Sequence, residues 1–107
     1  MHPDRYGDAA LKELVRLMAD ETGLEAYLRQ QQAIITRPDF RPGLSAIKCP
    51  TVVVVGEQDK GTPPDLAREI AAAIAGSRLV VIPNCGHLST IERPEAVTDI
   101  LVEWMQF

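Results

Sequence analysis

No run of lysine or arginine occurs in the sequence: 11 basic residues face 15 acidic ones, for a formal net charge of −4. The electrostatic attraction that draws proteins to phosphate backbones or anionic lipid is therefore missing, which argues against nucleic acid and membrane surfaces as partners. No stretch approaches the roughly 20 apolar residues that span a bilayer. Met1-His2-Pro3-Asp4-Arg5 also lacks the apolar core of a signal peptide, so the expected compartment is the cytoplasm. Cysteine is scarce: Cys49 and Cys85 could form at most one bridge, and a cytoplasmic chain keeps such a pair reduced. Cys85-x-His87 offers one pair of potential ligands and no second pair, short of the usual four-ligand zinc spacing, so neither metal nor cofactor is expected. Internal repeats and low-complexity segments are absent. With 107 residues there is room for one small core and not for two ordinary domains.

What is present reads as a folded chain. Hydrophobic residues make up 46% of it and charged residues 24%, which is ordinary for a globular domain and far from the profile of disorder. From Asp8, the residues Leu11, Leu14, Val15 and Met18 fall at i, i+3, i+4 and i+7, one stripe of an amphipathic helix ending near Asp20. Thr22 and Glu25 have capping-box spacing, and Leu24, Leu28 and Ile35 continue at roughly helical intervals, so a second helix is expected to about Thr36. Arg37-Pro38 stops it, since proline pushes the preceding residue out of helical geometry. Pro38 to Gly43 then reads as a linker.

The character of the chain changes after Cys49-Pro50. Thr51 to Val55 is short, β-branched and apolar on both faces, as expected of a parallel strand covered by helices on each side. Thr62-Pro63-Pro64-Asp65 supplies a capping hydroxyl, prolines for the first turn and an acid at the positive end of the dipole, and a helix is expected from there to about Ala75, ended by Gly76. Leu79 to Ile82 is the second strand. Pro94 opens a last helix with Val97, Ile100, Leu101 and Trp104 in one stripe, which makes Trp104, with Phe107 beyond it, a core residue. Two strands joined by a helix form a right-handed crossover with parallel strands, so the fold class is α/β.

In parallel α/β sheets the loops at the carboxyl ends of the strands form the ligand crevice. Those loops are Gly56 to Pro63 and Pro83 to His87. Neighbouring parallel strands bring their carboxyl ends side by side, so Asp59 and His87 are expected to meet. A carboxylate on one imidazole nitrogen fixes the tautomer and leaves the other nitrogen free to take a proton from a nucleophile. Glu57 and Lys60, flanking Asp59, read as solvated loop charges, and Cys85 as a small packing residue and not a nucleophile.

These residues carry a resemblance. Cys49-Pro50-Thr51 leading a valine strand, Gly56-x-x-Asp59 with Pro63 behind it, Gly86-His87, and Glu92-Arg93-Pro94-Glu95 together resemble the end of an α/β-hydrolase. In that family the triad runs nucleophile, acid, histidine along the chain, so the resemblance implies Asp59 as the acid and His87 as the general base. It covers roughly Leu44 to Phe107. The first forty residues resemble the final helices of the cap that such enzymes insert over the active site, which would set Gln30, Gln31, Gln32 and Arg37-Pro38-Asp39 near the substrate entrance. The expected organisation is thus a cap-like helical segment and linker over 1–43, followed over 44–107 by the C-terminal βαβα part of a partial α/β-hydrolase fold.

The departure from the pattern is equally specific. No G-x-S-x-G elbow occurs; Ser45, Ser77 and Ser89 sit at no suitable strand-to-helix turn. The nucleophile and the loop that would make the oxyanion hole are therefore missing from these residues. Losing a triad serine costs about six orders of magnitude in turnover, so the chain alone is expected to be essentially inactive. One expectation is a fragment of a serine-type hydrolase acting on an ester, lactone or carbon–carbon bond of a small molecule, with an Asp nucleophile of dehalogenase type left open. The other is a non-catalytic module that pairs with a second copy, or with a complementing N-terminal part, through the edge of Thr51 to Val55.

Overall fold

The run of valines forms the first strand because β-branched side chains suit a pleated surface packed on both faces. In the computed structural model, which describes residues 1–106, strand β1 is Val52–Gly56. Its parallel partner β2 is Arg78–Ile82, paired in register from Val52 opposite Arg78 to Gly56 opposite Ile82. Among the described residues these two strands make the whole sheet. Both start or end one residue away from the expected limits, and Gly56 belongs to the strand itself. Helix α3, Pro64–Ala73, makes the crossover. Its ending differs from the expected Ala75: Ile74 is the C-cap, and Gly76 adopts a left-handed φ of 74° two residues further on. Helix α5, Pro94–Trp104, follows β2.

The buried residues sit around this unit. Ile82, Cys85 and Ile100 form one cluster, with Val52, Val54, Val80, Ala96 and Val97 packed against it, while Val55, Ala67 and Ile74 are buried elsewhere in the molecule. Strand β1 is less covered than a central strand would be: Val52, Val53 and Val54 are half-buried. Trp104 is not a core residue as its stripe suggested. It is 39% exposed, and its indole N–H reaches the Pro50 carbonyl at 3.1 Å, so the ring lies along the margin of the sheet with its polar tip satisfied. Phe107 lies outside the described residues.

Two helices precede the α/β unit: α1, Ala9–Thr22, and α2, Leu24–Thr36. Asp8 caps the first, its side chain accepting from the Leu11 amide at 3.1 Å. The expected capping box does not form. Thr22 is still inside α1, where its hydroxyl donates to the Met18 carbonyl at 2.8 Å, and Gly23, with a φ of 77°, breaks the helix and starts the next. A left-handed glycine makes a sharper break than a side-chain cap, because it satisfies the helix end with its own amide, which donates to Ala19. A 3-10 helix, Arg41–Ala46, starts inside the expected linker and runs past its Gly43 limit; it is tied to α3 by Arg41 on Glu69 at 3.2 Å. The apolar stripes of both leading helices are mostly uncovered: Leu11 is buried, but Leu14, Met18, Leu28 and Ile35 are exposed.

Candidate active site

Strand order alone places the loop after β1 against the loop after β2, and the backbone shows how tightly. The Glu57 amide donates to the Ile82 carbonyl at 2.9 Å, and the Gln58 amide donates to the Cys85 carbonyl at 2.8 Å. In return the Cys85 amide donates to Gln58 Oε1 at 3.0 Å. Gln58 thus stitches the two loops at both main-chain and side-chain level. Nothing in its spacing singled it out, since a glutamine in a polar loop carries no signal until its neighbours in space are known.

Asp59 and His87, 28 positions apart, come together across this seam. His87 Nδ1 lies 2.9 Å from Asp59 Oδ2. The two side chains stand in opposite environments: that of Asp59 is 5% exposed and that of His87 is 57% exposed. The carboxylate is held by its own loop. Asp59 Oδ1 accepts from the amides of Gly61 and Thr62 at 3.0 and 2.9 Å, and Oδ2 accepts from the Thr62 hydroxyl at 3.1 Å. Burial by itself would raise the Asp59 pKa; the Thr62 amide, His87 and the Thr62 hydroxyl outweigh it and hold the carboxyl below its ordinary value. Asp59 is therefore ionised at neutral pH.

Thr62 was expected to cap the following helix. Pro63 occupies the N-cap position, with no side-chain hydrogen bond to the helix. Two consecutive prolines move the start of the helix one residue on and leave no amide at the first position, so the Thr62 hydroxyl turns instead to Asp59 and comes within 3.3 Å of His87 Nδ1.

His87 is carried by a turn in which Asn84 has a left-handed φ of 51°. A short helix absent from the sequence reading, α4, Ser89–Glu92, follows it at once. Glu92 is 2% exposed and points its carboxylate back at the turn. Cys85 is fully buried; burial and the nearby Glu92 charge push its thiol up, which suits packing and not nucleophilic attack. Both cysteines are free thiols, with Cys49 exposed. Glu57 and Lys60 are exposed. Beside the pair runs a groove of about 470 Å³ along β1, lined by Val53, Leu66, Ile70, Arg37, His87 and Ser89 among others. Arg37 thus lies at the same groove as His87, whereas Gln30, Gln31 and Gln32 are not among its lining residues.

Comparison with known proteins bears on the family and the fold. Residues 2–100 match the model of the family described as "Alpha/beta hydrolase family". Over 93 residues the chain is 34% identical to a 2-hydroxy-6-oxononadienedioate/2-hydroxy-6-oxononatrienedioate hydrolase of Escherichia coli, covering 86% of this chain and 32% of that protein. The chain spans about a third or less of the length of the curated relatives it matches. Among solved structures, the enol-lactonase of Burkholderia xenovorans is 39% identical with a TM-score of 0.62, covering 64% of this chain and 26% of that one. A thermophilic esterase of Thermogutta terrifontis is 44% identical with a TM-score of 0.64, covering 66% of this chain and 26% of that one. An α/β-hydrolase from a Medee basin deep-sea metagenome library aligns over 99% of this chain and 40% of its own, with a TM-score of 0.80; at 24% identity it speaks for the fold.

Proposed function

Because the chain belongs to the alpha/beta hydrolase family, we propose that it supplies the acid and the general base of a hydrolytic triad whose nucleophile lies on a segment outside these 107 residues. The observation that carries this is the 2.9 Å contact between His87 Nδ1 and Asp59 Oδ2. With Nδ1 protonated and donating to Asp59, Nε2 is unprotonated and can accept a proton. It takes the proton of an attacking serine hydroxyl, and the imidazolium so formed is stabilised by Asp59, which stays ionised throughout. Nε2 then returns the proton to the leaving group. Nε2 next takes a proton from water, which attacks the acyl enzyme; the acyl–serine bond breaks, the serine recovers its proton and the acid leaves. The substrate is a small molecule with an ester or a lactone, the classes that the names of an esterase and an enol-lactonase among the relatives give, or with an activated carbon–carbon bond.

On this reading the chain alone is essentially inactive, because a triad without its nucleophile loses about six orders of magnitude. The test is complementation. The chain is mixed or co-expressed with a hydrolase segment that carries G-x-S-x-G, and hydrolysis of a chromogenic short-chain ester is followed. Activity is expected only in the mixture and is expected to vanish with His87→Ala; activity that survives His87→Ala overturns the reading.

A second reading rests on a different observation. In the two-stranded sheet β1 has an open edge, and the groove along it exposes Leu66 and Ile70. An unpaired strand edge beside apolar side chains is a template for another strand. The chain would then be a module that pairs with a second copy or with a complementing N-terminal part, with no catalysis of its own. A strictly monomeric mass by sedimentation at micromolar concentration excludes the self-pairing form.

A further inference from the structure

Glu92 is the most deeply buried carboxylate among the described residues, and the proposed proton transfer does not use it. A buried carboxylate is costly unless its oxygens are all occupied, so the identity of its partners shows what it holds. Its Oε1 accepts from the Gly86 amide at 3.2 Å and from the His2 amide at 2.6 Å, and its Oε2 accepts from the Leu88 amide at 2.9 Å. Gly86 and Leu88 are the residues on either side of His87. One carboxylate therefore grips the main chain immediately before and immediately after the histidine, with a different oxygen on each side. The third bond fastens the segment around His2, which itself packs on the turn so closely that a Cβ on Gly86 would stand 2.5 Å from the His2 nitrogen. The same segment is tied a second time, by Arg5 donating to the Glu92 carbonyl at 3.1 Å.

We propose that Glu92 is a positioning residue for His87: its two oxygens fix the peptides flanking the histidine and so aim the ring at Asp59. The need for such a device follows from the exposure of the ring. More than half of the His87 side chain faces solvent, so core packing does not hold it, and its direction is set by the backbone that carries it and by the contacts of Nδ1 with Asp59 and the Thr62 hydroxyl. The turn itself is short, irregular and contains a glycine, so it is stiff only if its amides are anchored. Charge-assisted bonds from amides to a carboxylate are among the stronger anchors available. The pull of these amides also keeps the carboxyl ionised: burial alone would raise its pKa, and the bonds from His2, Gly86 and Leu88 bring it below the ordinary value.

This inference rests on the proposed role of His87, but its readout is a hydrogen bond and not turnover, so the two can fail separately. The measurement is the Nδ1-bound proton of His87 in nuclear magnetic resonance spectra of the ¹⁵N-labelled chain, assigned by its loss in Asp59→Asn. In the unmodified chain the proton is protected by the bond to Asp59. In Glu92→Gln, which keeps size but offers one acceptor and turns an NH₂ group towards the amides, its exchange with water is expected to rise about tenfold, the factor that goes with loss of one net hydrogen bond. Ile74→Val, a cavity-forming change in the core away from the turn, is expected to leave the exchange rate as it was. An unchanged rate in Glu92→Gln overturns the proposal, as does an equal rise in both variants or the absence of a protected proton in the unmodified chain. Should Glu92→Gln fail to fold, Glu92→Asp, which keeps the charge on a shorter stem, takes its place; failure of both to fold assigns Glu92 to stability alone and equally overturns the proposal.

Discussion

Gly56 and Gly86 meet backbone to backbone: a Cβ built on Gly56 would stand 2.2 Å from the Gly86 carbonyl oxygen and 2.5 Å from that of Cys85. Glycine at 56 is thus required by close approach. The last residue of β1 lies directly under the turn that carries His87, and any side chain there would lift the turn away from Asp59. Gly56→Ala is expected to destabilise the chain by about 2–3 kcal/mol, the upper end for an overpacked site, because the obstacle is backbone and cannot rotate aside. Urea unfolding followed by circular dichroism measures it. A midpoint equal to that of the unmodified chain contradicts the contact.

Thr62 takes a role other than the cap that its position before the prolines suggested. Its hydroxyl donates to Asp59 and caps no helix. Thr62→Val is therefore expected to leave the start of α3 intact and to act on Asp59. Since the hydroxyl helps to lower the Asp59 pKa, its removal raises the titration midpoint of that carboxyl, read by carbon nuclear magnetic resonance. The cost in stability is about 1 kcal/mol, the worth of one hydrogen bond. Fraying of α3 without movement of the Asp59 titration would reverse the assignment.

Several carboxyls are held below their ordinary values, Asp8, Glu13 and Asp39 among them, but Asp59 and Glu92 are the buried ones, and acid should act on the fold chiefly through these two. Asp59 and Glu92 both have folded-state pKa values below their ordinary ones. A depressed carboxyl contributes stability that is fully present above the unfolded pKa, about 4 for these groups, and is lost as pH falls through the folded value. The urea midpoint should hold nearly constant from neutral pH to about 5 and fall below about 4. Asp59→Asn should lower stability at neutral pH and flatten this acid limb, because the amide does not titrate. An acid limb as steep in Asp59→Asn as in the unmodified chain would show that other groups dominate it.

The open edge of β1 gives a prediction about association. If self-pairing occurs there, lysines beside the edge should block it, since desolvating their charge against an incoming strand is unfavourable. Leu66→Lys combined with Ile70→Lys changes two residues that line the groove and are already exposed, so folding should be little affected. Sedimentation at micromolar concentration is expected to show a dimer for the unmodified chain and a monomer for the double variant. Dimers of equal strength in both would move the contact elsewhere, the uncovered stripes of α1 and α2 being the obvious alternatives.

What could be read from the residues depended on whether the signal was local. The valine strand, the second apolar run and the helices opened by proline were legible because side-chain periodicity and the missing proline amide act within a few residues. The meeting of Asp59 and His87 was legible for a less local reason: a crossover between parallel strands leaves one arrangement of the loops. The failures were also physical. Thr22 and Thr62 each had the spacing of a cap, but each hydroxyl found a different acceptor, the Met18 carbonyl in one case and Asp59 in the other. Trp104 continued an apolar stripe, yet the sheet of the described residues has two strands and leaves it at the margin. The four residues of α4 were too few to show a period.

The sequence by itself therefore determined the α/β unit, the order of its strands and longer helices, the resemblance to hydrolases, and the absence of a G-x-S-x-G elbow. All of these follow from residue type and spacing along the chain. Only the tertiary structure decided which oxygen of Asp59 faces which donor, that Gln58 binds the two loops together, and that Glu92 holds both flanks of His87. Those relations join residues that carry no mutual signal in the sequence, because a hydrogen bond depends on positions to within a few tenths of an ångström, and such positions exist only once the strands have paired.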